Sequence, residues 1–151
     1  MSITTTTLAD DSFKTIVRAN GLGGETKGKL LDASKLSGAT ASPNLSIAHI
    51  YYEILGTGNL TFFFDAETDE QVARQFSGRG NYGLKEGEPR IKQGDTGTTP
   101  TNPTGDVLVS TDNTITKYNI VVEFRKEKGF TNGWYGFKFN NRRYFRCEVY
   151  N

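Results

Sequence analysis

The residue types that could carry chemistry are few in this chain and lie far apart. It holds one histidine, His49, and one cysteine, Cys147, in 151 residues. A catalytic histidine needs a nucleophile and an orienting carboxylate. Ser46, Asp65 and Asp69 are near His49 in sequence, but no triad order or nucleophile elbow surrounds them. His49 sits mid-strand among apolar neighbours and reads as a packed or interface histidine. Cys147 follows Arg146, which could activate a thiol. It also alternates with Phe145 and Val149, the pattern of a core thiol. A single cysteine excludes an internal disulfide.

The run Asp65-Ala66-Glu67-Thr68-Asp69-Glu70 offers alternating oxygens that could hold a hard cation such as calcium. It lacks the spacing and the glycine of a twelve-residue calcium loop, so it reads as a solvated turn; Asp10-Asp11 is weaker still. Gly21-Leu22-Gly23-Gly24 and Gly78-Arg79-Gly80-Asn81-Tyr82-Gly83 are glycine-rich. Neither opens a helix after a parallel strand or ends in Gly-Lys-Ser/Thr, so both read as turns rather than phosphate loops. The sequence therefore predicts no catalytic residue, no cofactor-binding residue and no metal ligand, and an enzyme is the least favoured class.

Two surface chemistries remain. Arg142, Arg143 and Arg146 interleave with Tyr144 and Phe145, as on strands that bind single-stranded nucleic acid. A net charge of only +1 argues against that and for a solvated edge or a protein contact. Tyr51, Tyr52, Tyr82, Trp134 and Tyr135 could form a sugar-stacking platform, though aromatics are also ordinary core and interface material in β domains.

The elements that must position these residues are strands. Hydrophobic content is low at 35% while aromatics reach 12%, so Phe and Tyr are expected to supply much of the core. Glycines number 17 and prolines 4, which suits many strands joined by tight turns. Alternation predicts strands at 13–20, 27–33, 45–55, 60–65, 106–110, 117–126, 134–139 and 142–150, with short ones near 82–84 and 90–92; 70–76 reads as a strand, though Val72 and Phe76, four apart, also suit one or two helical turns. Asn20-Gly21 reads as a turn, Gly56–Asn59 as a hairpin connection and Asn140-Asn141 as the turn of a last hairpin. On 45–55 the odd and even residues are expected to fall on opposite faces. Gly94–Gly105 reads as an exposed loop inside the domain. Residues 1–12 form a threonine-rich polar arm, mobile unless something pins it. The expectation is a single all-β domain over 13–151, an antiparallel, jelly-roll-like β-sandwich with an extended N-terminal arm.

The start of the chain lacks a charged n-region and an apolar h-region, so no signal peptide is expected. Its apolar stretches are too short to span a bilayer, so no membrane partner is expected and synthesis in a cytoplasm is.

Four features together resemble small virion structural proteins of tailed bacteriophages, especially the accessory head proteins of marine and cyanobacterial phages. They are the threonine-rich start, Phe13-Lys14-Thr15-Ile16-Val17-Arg18-Ala19-Asn20, Gly58-Asn59-Leu60-Thr61-Phe62-Phe63-Phe64-Asp65, and Gly105-Asp106-Val107-Leu108-Val109-Ser110-Thr111 before a long strand. The likeness is one of style over most of the chain rather than of a diagnostic motif. It implies a capsid decoration or cement protein that binds the major capsid lattice, assembled in the host cytoplasm and resident in the virion. Copies would form a homo-oligomer or a symmetric array. The alternative is a carbohydrate-binding or receptor-binding module of a tail or fibre. The partner-contact residues expected are Ile3 and Leu8 of the arm, Pro100 and Pro103 of the long loop, and Trp134, Tyr135, Arg142 and Arg143 of the last hairpin.

Overall fold

A computed structural model describes residues 3–41, 43–67, 71–83, 85, 87–93 and 101–131. The predicted last hairpin, with Trp134, Tyr135, Arg142, Arg143, Arg146 and Cys147, lies outside the described residues, as does Pro100.

The strands are β1 (Thr4–Asp10), β2 (Lys14–Leu22), β3 (Gly28–Leu31), β4 (Leu45–Gly56), β5 (Leu60–Ala66), β6 (Gln71–Phe76), β7 (Arg79–Tyr82), β8 (Ile91–Lys92), β9 (Pro103–Thr111) and β10 (Ile115–Lys126). Sheet A runs β1-β2-β10-β4-β7, with β8 also on β4; sheet B runs β3-β9-β5-β6. Every pairing is antiparallel. The pairs nest: β2 with β10, β3 with β9, β4 with β7 and β8, β5 with β6. The chain is thus one long hairpin wound on itself, which is the jelly roll, and winding adds the β4–β10 and β5–β9 pairs. The all-β sandwich expected from alternation is what the chain forms.

The core follows from the period of two. On β10, Tyr118, Ile120, Val122 and Phe124 are buried, while Lys117, Asn119, Val121, Glu123 and Arg125 face outward. On β5, Leu60, Phe62 and Phe64 meet them from sheet B. Each such side chain contributes roughly 1.5–3 kcal/mol by leaving water. These side chains pack into one cluster between the sheets.

Several local expectations differ from the structure. Strict alternation fails on β4, where the register with β10 shifts between His49 and Ile47. Ala48 is the extra residue of a bulge, so Leu45 and Ile47 join Ile50 and Ile54 in the core. Asn20-Gly21 is no turn: β2 continues to Leu22, and Gly21 pairs with Tyr118. The Tyr118 ring lies over the glycine, where an added Cβ would meet its hydroxyl at 2.9 Å. Gly56–Asn59 is no hairpin either, because β4 and β5 belong to different sheets. The loop predicted to run to Gly105 ends earlier, since Pro103–Gly105 already pairs as the start of β9. Residues 79–82 of the second glycine run form β7. The chain leaves it through Gly83 at φ +99°, where a Cβ would meet the Ala48 carbonyl at 2.2 Å.

Tyr118 carries a testable consequence. Its hydroxyl is buried with no hydrogen-bond partner among the described residues. Burial pushes the phenol up to about 12, with the charge of Glu25 adding to the rise. The unfolded chain ionises it from its ordinary value of 10.0, so stability falls as pH climbs between the two values. Tyr118→Phe is expected to remove that alkaline component. At neutral pH it should leave unfolding free energy unchanged or raise it by about 1 kcal/mol, since an orphaned polar group disappears. Urea titrations at pH 7 and pH 11 check both; a loss at pH 7 would mean that the hydroxyl has a partner.

Candidate docking face

The outer face of sheet A can be read in rows, because residues paired across antiparallel strands point the same way. The end row is Leu22, Lys117, Leu55. The next is Thr4, Asn20, Asn119, Glu53, Arg79, where Arg79 and Glu53 pair at 3.5 Å. Thr6, Arg18, Val121, Tyr51 and Asn81 follow. Ile16, Glu123 and His49 come after them, with Arg125 on Glu123 at 3.2 Å. A shallow open depression of about 450 Å³ lies between the first two rows, bordered by Thr4, Asn20, Leu22, Lys117 and Asn119.

Apolar exposure falls on this sheet. The exposed large apolar side chains among the described residues are Leu22 (55%), Leu8 (50%), Phe13 (40%) and Leu55 (39%). All four belong to sheet A or to its first turn; none lies on sheet B. Arg18 and Lys117 have no ion-pair partner among the described residues, whereas Glu53 and Glu123 are both paired. Among the described residues the outer face therefore presents Leu22 and Leu55 beside two cations, Arg18 and Lys117, that have no ion-pair partner.

The segment read as a polar arm is the edge strand of this sheet. Thr4–Asp10 pairs with β2 from Thr4 opposite Asn20 to Asp10 opposite Thr15, with a bulge between Thr7 and Ala9. It is held at one end by Lys126, whose side chain is 1% exposed. The ammonium donates to Asp10 Oδ1 at 2.6 Å, to the Asp11 carbonyl at 2.6 Å and to the Ser37 carbonyl at 2.8 Å. All three of its donors are used. The Phe130 ring lies 5.3 Å below it. Asp10 Oδ2 accepts from the Ser37 N–H at 2.9 Å, and Asp11 Oδ1 accepts from the N–H groups of Phe13 and Lys14 to turn the chain into β2. Burial works to raise the Asp11 carboxyl, but those two donors, with Lys14 and Lys126 nearby, hold it below its ordinary value. The Asp10-Asp11 pair thus has the Lys126 ammonium and backbone N–H groups as its partners.

The other candidates separate. Leu8 is exposed at the bulge, and Ile3 packs against the core. Pro103 is exposed and pairs with Ala66 at the far end of sheet B. His49 lies on the outer face opposite Glu123 and beside Gly83; its Nε2 is buried without a hydrogen-bond partner among the described residues. Asp65 accepts from Thr104 Oγ1 at 3.0 Å and Glu67 accepts from Asn102, so these carboxylates fasten β5 to the approach to β9. Among the described residues no three of His, Cys, Asp and Glu gather around a common point. The tyrosine platform is divided. Tyr51 faces outward, while Tyr52 packs on Phe76 at 4.5 Å and Tyr82 donates to the Pro89 carbonyl at 2.8 Å. No helix among the described residues is long and apolar enough to cross a membrane.

No family model and no curated protein matches the chain. Among solved structures it is similar to Peruvianin-I, a cysteine peptidase from Thevetia peruviana latex, at TM-score 0.39 and 10% identity, over 85% of this chain and 64% of that one. It is also similar to an RmlC-like cupin family protein of Methanocaldococcus jannaschii with a double-stranded β-helix fold (TM-score 0.33, 13% identity, 80% and 78% of the two chains). A cupin domain from Bordetella pertussis Tohama I gives TM-score 0.36 and 12% identity over 83% and 94% of the chains. The chain spans less than two thirds of the peptidase's length. Likenesses this distant transfer no activity, ligand or partner, and the jelly-roll assignment stands on the strand order itself.

Proposed function

We propose that this chain is a non-enzymatic virion structural protein, a capsid decoration or cement protein that docks on the major capsid lattice through the outer face of sheet A. The observation that carries this reading is that, among the described residues, the exposed large apolar side chains fall on that sheet and its first turn, with Leu22 and Leu55 in the end row of its outer face. An apolar surface interleaved with polar groups suits a non-obligate protein interface. Arg18 and Lys117, without ion-pair partners among the described residues, favour an acidic patch opposite. Jelly rolls occur in viral capsid and lectin domains and in cupins, and the fold by itself selects none of these. On a lattice, many copies each bridging neighbouring subunits would add modest contacts into shell stability.

The test is Leu22→Asp combined with Leu55→Asp, mixed with empty capsids of the cognate phage and co-sedimented. Both residues are exposed, so the fold should hold and the melting temperature should shift little. Two carboxylates in the apolar end row should weaken binding about tenfold or more. A folded variant that binds as tightly as the original would remove this face from the account.

A further inference from the structure

We propose that β1 pairs with β1 of a second copy, joining two A sheets edge to edge across a two-fold axis. Among the described residues the only strand that pairs with the β1 backbone is β2, so its outer edge presents a row of backbone donors and acceptors. Thr4, Thr5, Thr6, Thr7 and Leu8 are all exposed. Thr5 and Thr7 point toward the sheet B side yet stay exposed, so β1 overhangs the sandwich with both faces open.

Folded proteins block such edges with charge, proline, short strands or bulges. The other edges here follow that rule. β3 carries Lys29, β6 Arg74, β7 Arg79 and β8 Lys92, and β8 is only two residues long. β1 has no charge and no proline between Thr4 and Ala9; its one disruption is the bulge near Leu8. It is also held rigid by the Lys126 contacts, so little ordering remains to oppose pairing.

The occupant follows from self-complementarity. A two-fold antiparallel pair sets one residue against its own copy. Centred on Thr5, the pairs are Thr4 with Thr6, Thr5 with Thr5 and Thr6 with Thr4. Centred on Thr6, they are Thr5 with Thr7, Thr6 with Thr6 and Thr7 with Thr5. Either way threonine meets threonine, a favourable cross-strand pair, and no like charges meet. The inference does not rest on capsid binding and is measured without capsids.

The experiment is light scattering of the full chain over a concentration series, beside Thr5→Glu with Thr6→Glu and Thr5→Gln with Thr6→Gln. The unaltered chain should approach twice 16.7 kDa as concentration rises. The Glu pair should remain at 16.7 kDa, because either centring sets Glu against Glu, while Glu at position 6 gains Arg18 opposite it within the chain and the fold is not weakened. The Gln pair keeps the edge neutral and should still dimerise. A chain that is monomeric throughout, a Glu pair that dimerises as readily, or a monomeric Gln pair would each overturn the proposal.

Discussion

Lys126→Met is expected to lower the unfolding free energy by about 3 kcal/mol, the low end of what removing one partner of a buried ion pair costs. The low end applies because Asp10 keeps partial contact with water, at 24% side-chain exposure. The substitution keeps the apolar stem over Phe130 but leaves Asp10 Oδ1 and the carbonyls of Asp11 and Ser37 without their donor. For a chain of this size the melting temperature should drop by roughly 6–12 °C, at about 2–4 °C per kcal/mol. Adding Asp10→Asn removes the stranded charge and should recover part of the loss, which a double-mutant cycle reads as coupling. A drop of about 1 °C or less would show that the ammonium is not the fastener of β1. Truncation at residue 12 would strand the same ammonium, so point substitutions on β1 are the cleaner probe of its edge.

Phe62→Ala should cost about 3–5 kcal/mol, and Phe63→Ala about 1 kcal/mol or less. The neighbours differ because β5 turns them to opposite faces. Phe62 is fully buried between the sheets and meets the Phe76 ring edge-on at 6.0 Å. Phe63 faces outward with the Lys27 ammonium 5.2 Å from its ring, a contact worth little where water competes. Chemical denaturation of both variants checks the pair. Equal losses would contradict the assignment of faces on β5.

That assignment was legible in the residues, since Leu60, Phe62 and Phe64 against Thr61 and Phe63 is a plain period of two. So were the ends of β10 to within two residues, and the bounds of β6, whose residues suit a helical turn as well as the strand that forms. What could not be read depends on partners distant in sequence. Ala48 becomes a bulge because of how β4 lies on β10, and nothing in Ile47-Ala48-His49 marks it. Asn20-Gly21 carries turn chemistry, yet Tyr118 roofs the glycine and the strand runs on. The glycines after β4 predict a reversal and not which sheet receives the next strand. The docking face was only partly legible for the same reason. Leu8 stands out in a polar segment, but Leu22, Lys117 and Leu55 become one row through pairings that span most of the chain. Lys126 looked like a strand end; its parity with Phe124 and Val122 was the available sign that it points inward.

The most direct test of the central claim is co-sedimentation of the purified full chain with empty capsids of the cognate phage, titrated to saturation. The account predicts stoichiometric binding that saturates at a fixed number of copies per capsid subunit and weakens as salt screens Arg18 and Lys117. Protein that stays in the supernatant at every concentration would contradict a decoration role. Glycan binding by that same protein would then put the carbohydrate-binding reading in its place.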